Sequence, residues 1–223
     1  MNTFKQFLNE DEVLQDLEDF LLDNCRPLMS ELDASLKDIS GLQLYRGIGH
    51  PSGKAVQLMI DGKVRVGYIQ TVRKNRQPLD THPAVSDVLD DYFDHEFGWR
   101  PRKTTMFAYG KNGVDQASNF GRVYRVFPMG KFRYIWGEVE DLTQKLAHMF
   151  DHHGIKKKTP DDDYTKDELD EIYEVISDEF EGQFHSDDLW KAISGAPREI
   201  MIDCDQYLAI SASRDGSERK SDD

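Results

Sequence analysis

The stretch Leu42-Gln43-Leu44-Tyr45-Arg46-Gly47-Ile48 is where the chain changes texture. Its short alternating pattern is that of a strand, whereas the residues upstream repeat their apolar positions at helical spacing. Val13, Leu17, Phe20 and Leu21 fall at i, i+4, i+7 and i+8 with acids between them. Pro27 suits the first turn of a second helix, whose face Leu28, Leu32 and Leu36 continue until Gly41. A helical segment over residues 11–40 therefore precedes a body that begins with strands.

Downstream of that switch, Ala55 to Ile60 and Val64 to Val72 read as further strands. Val85, Val88, Leu89, Tyr92 and Phe93 then predict a helix, with Thr81 as its N-cap and Gly98 as its stop. Strands resume at Thr104 to Tyr109, Arg122 to Phe127 and Lys131 to Trp136, with Pro128-Met129-Gly130 as a turn between the last two. Val139 to Phe150 reads as a helix, Lys156 to Asp163 as a loop, and Thr165 to Phe180 as an acidic helix with Leu169, Ile172, Tyr173 and Ile176 on its apolar side. Glu199 to Cys204 and Tyr207 to Ser211 supply the last strands, and the tail 214–223 reads as disordered. Without a regular βαβ alternation, the class is α+β, with a mixed, mostly antiparallel sheet in one domain over 41–213.

The 223 residues carry 28 Lys and Arg against 42 Asp and Glu, a formal charge of −14. Residues 1–40 hold 10 acids and 3 bases and residues 161–181 hold 11 acids and 1 base, which leaves the remainder at +3. Two acidic helices on a near-neutral body read as solvated faces rather than as a mimic of nucleic acid. No apolar run approaches the roughly 18 residues of a membrane span, so no membrane association is expected. The start, Met1 to Glu12, lacks the basic and apolar parts of a secretory signal, and Cys25 and Cys204 read as free thiols.

Several catalytic patterns fail on their own chemistry. His148 and His152 share the spacing of a zinc helix, but Met149 stands where its glutamate belongs and no third ligand follows, so no metal site is expected. Asp161-Asp162-Asp163 begins like a calcium loop, yet Lys166 and Ile172 occupy the positions that need glycine and glutamate. The P-loop, nucleophile-elbow and Rossmann glycine patterns are absent.

Three segments in order carry a resemblance: Leu44-Tyr45-Arg46-Gly47 at the first strand of the body, Thr104 to Gly110 in the middle, and Pro197-Arg198-Glu199-Ile200-Met201-Ile202 late in the chain. Together they resemble the ADP-ribosyltransferase family of the arginine-serine-glutamate type, over roughly residues 42–211. Ala117 to Val126 is similar to the helix-then-strand order of such folds. The resemblance implies an enzyme using NAD as substrate, with Arg46 on the dinucleotide, Gly47, Thr105 and Phe107 around the nicotinamide, and Glu199 as the catalytic residue.

The chemistry fits those residue types. A guanidinium offers pyrophosphate a charge-assisted, bidentate contact, and a glycine permits close backbone approach to the nicotinamide amide. Cleavage of the bond between nicotinamide and ribose builds an oxocarbenium-like centre, which a carboxylate stabilises. Each residue alone also fits a plain structural role, Arg46 as a strand residue in an ion pair and Glu199 as the exposed first residue of a strand. Ala108-Tyr109-Gly110 occupies the place of the family's serine-threonine-serine, and Pro197 stands two residues before Glu199 where an acceptor-activating side chain is often found. Bases at Arg73-Lys74-Asn75-Arg76 and Arg100-Pro101-Arg102-Lys103 fit either phosphate contacts or ordinary surface charge.

Met1 to Glu10 resembles the capsid-targeting peptide of internal head proteins of large tailed bacteriophages, and Leu8-Asn9-Glu10 is similar to the site their prohead protease cuts. The two resemblances imply a head-packaged mono-ADP-ribosyltransferase, located in the virion interior and then in the host cytoplasm, that modifies a host protein or other macromolecular acceptor. The alternative is a noncatalytic head or host-interaction protein whose acidic helices at 11–37 and 165–181 bind a basic partner.

Overall fold

The computed structural model describes residues 14–32, 42–75, 81–139, 141–159 and 161–212. The expected targeting peptide and tail lie outside these, as do parts of the N-terminal helical segment. Within them the chain is mixed α and β around a largely antiparallel sheet. Its strands are β1 (Gln15–Asp16), β2 (Tyr45–Ile48), β3 (Lys54–Ile60), β4 (Lys63–Thr71), β5 (Met106–Tyr109), β6 (Arg122–Gly137), β7 (Phe184–His185) and β8 (Glu199–Ser211). The helices are α1 (Leu17–Asn24), α2 (Arg26–Glu31), α3 (Pro83–Phe97), α4 (Val114–Ser118), α5 (Leu142–His153), α6 (Lys166–Phe180) and α7 (Leu189–Ser194).

Strand β8 is the axis of the molecule. One edge pairs with β6 from Tyr124↔Ser211 to Trp136↔Ile200. The other edge is shared, with β4 on residues 206–210 and β5 on residues 199–202. Strand β2 joins β5 at Tyr45↔Tyr109 and β6 over Tyr45 to Ile48, so β8, β5, β2 and β6 close into a ring of strands. The short parallel pair β1–β3 makes the sheet mixed. Strands β3 and β4 form a hairpin whose turn, Asp61-Gly62, has positive φ at both residues, the geometry that matches strand twist.

Three sequence expectations are corrected here. Pro128-Met129-Gly130 does not reverse the chain but lies inside the continuous strand β6, where the register slips between Met129 and Phe132 and Gly130 adopts φ +66°. A glycine bulge bends a strand without ending it. The two late segments are likewise one strand, β8, because Gln206 and Tyr207 pair across that bend. The N-cap of α3 is His82 rather than Thr81, with Pro83 in the first turn, and Gly98 ends the helix at φ 75°.

The alternation of strand side chains divides the core into two layers. Ile200, Ile202 and Cys204 of β8, with Met106, Ala108, Tyr134 and Trp136, pack with α1, α2 and α7. Met201 of β8 and Ile135 of β6 pack on the opposite face, against α3, α5 and α6. Helix α6 is held at its start by a capping box between Thr165 and Glu168, and α5 by Asp141 accepting from Thr143 and Gln144.

Candidate functional site

The three segments singled out in the sequence lie on neighbouring strands. Tyr45 of β2 is opposite Tyr109 of β5, which is opposite Glu199 of β8. Glu199 opens β8 on the layer of Met201, and its carboxylate lies 4.0 Å from the Arg102 guanidinium, with both side chains about one-tenth exposed. The Arg102 guanidinium also sits 5.5 Å over the Phe107 ring and 3.5 Å from the Thr81 hydroxyl.

The turn that carries Arg102 is pinned to α3 by charge. Arg100 pairs with Asp91 and Asp94, and Lys103 pairs with Asp87. The Arg102 amide donates to Asp90 Oδ1 at 2.7 Å, and the Thr105 hydroxyl donates to the Pro101 carbonyl at 2.8 Å. Asp90 is buried, and its Oδ2 has no hydrogen-bond partner among the described residues. Burial pushes the Asp90 carboxyl above its ordinary pKa, with the Arg102 amide and guanidinium opposing that rise. An unmatched carboxylate oxygen inside a protein is uncommon, and here it belongs to the residue that fixes the Arg102 backbone.

Arg46 occupies the other layer. Its guanidinium donates to the Phe107 carbonyl at 2.6 Å and to the Tyr207 hydroxyl, whose pKa burial raises against that contact. Tyr207 and Cys204, both near this arginine, belong to the α1/α2 layer. Gly47 provides close packing, since a Cβ there would lie 2.0 Å from the Ala117 carbonyl of α4. Thr105 is buried with its hydroxyl committed to Pro101, and Phe107 presents its ring beneath Arg102. The structure thus brings the Phe107 ring and Glu199 to Arg102 and places the Arg46 guanidinium in the other layer, where of these residues it meets only the backbone carbonyl of Phe107.

Other candidates resolve into structure. Lys74 pairs with Asp203 and Asp205. Cys25 and Cys204 are free and buried, and burial pushes both thiols up to about 12, which leaves them protonated at neutral pH. Among the described residues no three His, Cys, Asp or Glu side chains are grouped to hold a metal ion, and no helix is long and apolar enough to cross a membrane. Asp90 belongs to no motif in the sequence. Its only signal is an acid on the buried face of α3, next to Leu89 and three residues before Phe93. Comparison with family models, curated proteins and solved structures found no match.

Proposed function

We propose that this chain is a mono-ADP-ribosyltransferase that moves ADP-ribose from NAD to a macromolecular acceptor. The observation that carries the reading is the adjacency of β2, β5 and β8, with Glu199 at the head of its strand beside Arg102. In the reaction the bond between the ribose C1′ and the nicotinamide nitrogen breaks, and nicotinamide leaves with the electron pair. The acceptor nucleophile bonds to C1′ and releases its proton to solvent. Glu199 stabilises the positive ribosyl centre, a role for which a fixed carboxylate on the rim of an apolar layer is suited. Arg102 takes the pyrophosphate with its planar fork, Phe107 offers a flat apolar wall, and Thr105 holds the turn. Arg46 and Gly47 support the strand frame on which these groups stand.

The viral half of the reading rests on residues 1–10. It holds that the protein is packaged in a tailed-phage head through that segment, acts in the host cytoplasm and modifies a host macromolecule. One observation favours the noncatalytic alternative: Asp170, Glu171, Glu174 and Asp178 of α6 are all exposed, forming an acidic surface suited to a basic partner.

Incubation of the purified protein with NAD labelled in its adenylate part, with and without bacterial lysate, tests the proposal. Transfer of label to protein with release of nicotinamide, reduced about 100-fold or more by Glu199→Gln, is the expected result. No label transfer and no nicotinamide release would leave the acidic-surface reading in its place.

A further inference from the structure

A cavity of about 240 Å³ lies between the start of α3, the face of α5 and the residues Lys157, Lys158 and Tyr164. Thr81, the hydroxyl neighbour of Arg102, is on its wall. Val85, Leu146 and Phe150 give it an apolar floor drawn from two helices. Its volume falls just below the roughly 300 Å³ at which pockets for drug-sized ligands begin, so it suits one ring and a small head group and excludes a dinucleotide.

The polar groups around it select a charge. Lys157 and Lys158 line the cavity and, among the described residues, no acid does, in a chain whose acids outnumber its bases by 42 to 28. His82 is a fixed wall: Nδ1 accepts from the Ala84 amide, Nε2 carries the proton and donates to the Asp162 carbonyl, and the ring packs edge-on against Tyr164. Lys158 is also fixed, being 15% exposed, paired with Glu168 and seated over the Tyr164 ring. Lys157 differs, because its partner is Asp151 at 2.9 Å, and the two side chains are 48% and 70% exposed. A surface ion pair of this kind contributes at most about 1 kcal/mol, so its cation can exchange one carboxylate for another.

We infer that this cavity is a binding site for a small aromatic carboxylate, whose ring enters between α3 and α5 and whose carboxylate takes Lys157 from Asp151. The inference is independent of the transferase reading, since it concerns binding alone.

Amide chemical-shift titrations of the full-length protein with benzoate and with benzamide, which share a ring and differ in charge, test it. Benzoate is expected to bind saturably with a Kd on the order of 1 mM, the strength available to a ligand of about nine non-hydrogen atoms, with the shifts centred on α5 and Tyr164. Benzamide should bind about fivefold more weakly, the ratio an exposed ion pair supplies. Ala147→Trp, at a lining position, should abolish both, and the exposed Lys157→Gln should bring benzoate to the level of benzamide. Absence of saturable benzoate binding, equal binding of the two probes, or binding indifferent to Lys157→Gln would overturn the inference.

Discussion

The two faces of β8 treat their polar groups differently. On the face packed by α1 and α2, the Arg46 guanidinium is satisfied by the Phe107 carbonyl and Tyr207, Tyr134 donates to Glu31 at 2.5 Å, and the two thiols stay protonated. On the face packed by α3, α5 and α6, Asp90 keeps an unmatched oxygen, and Arg102 and Glu199 stand 4.0 Å apart at the edge of the apolar layer. Each layer keeps a buried polar atom without a partner among the described residues, Gln70 Nε2 beside Tyr207 on the first and Asp90 Oδ2 on the second, so what sets the second apart is the carboxylate of Glu199 facing the Arg102 guanidinium at its edge.

The sharpest way to break this comparison is to show that one face is not a core at all. Ile202 and Met201 are consecutive on β8, both buried, and point into opposite layers. Ile202→Ala and Met201→Ala should each lower the unfolding free energy by about 2–5 kcal/mol. Urea titration measures both, and a loss confined to one of them would mean that only one layer is closely packed.

A smaller effect is expected at Gly47. A methyl group there meets the Ala117 carbonyl at 2.0 Å and Phe120 at 2.9 Å, so Gly47→Ala should cost about 1–3 kcal/mol through overpacking. Retained stability in a thermal melt would free this glycine for a ligand-facing role. Arg46→Lys should cost about 1–2 kcal/mol, because an ammonium cannot serve Phe107 and Tyr207 with the same planar fork.

The finest test concerns Asp90. Its folded pKa lies above its unfolded value, so the native state holds the extra proton and the group's contribution to stability falls as pH rises from the ordinary carboxylate range through the folded pKa. Asp90→Asn cannot ionise. It should therefore match wild type in acid and gain on it towards neutral pH, by melts between about pH 4 and about pH 8. A variant that loses ground as pH rises would show the Asp90 charge to be stabilising in place.

Periodicity made most of the helices legible, because Val85 to Phe93 and Leu169 to Ile176 are apolar stripes at helical spacing, and Gly98 ends its helix in the left-handed conformation. The continuity of β6 through Pro128 to Gly130 is not legible, since turn-forming residues have the same composition in a bulge as in a hairpin, and the continuity of β8 through Asp205-Gln206 is fixed only by its partner strand. Glu199 and Phe107 were legible as members of strands that proved to be neighbours. The side to which Arg46 points was not, because a pleat fixes only relative alternation and the absolute face depends on which helices cover the sheet. Arg102 stood in a basic run whose other cations pair with α3, and the sequence contains nothing that separates it from Arg100 or Lys103.

The central claim is that the functional arginine is the one beside Glu199. Calorimetric titration of NAD into wild type, Arg102→Gln and Arg46→Lys tests it most directly. The account predicts that Arg102→Gln weakens NAD binding about tenfold or more, the scale of a lost charge-assisted contact, while Arg46→Lys leaves the affinity within about twofold. Loss of NAD affinity in Arg46→Lys with Arg102→Gln unchanged would contradict it and return the phosphate contact to the other face of the sheet.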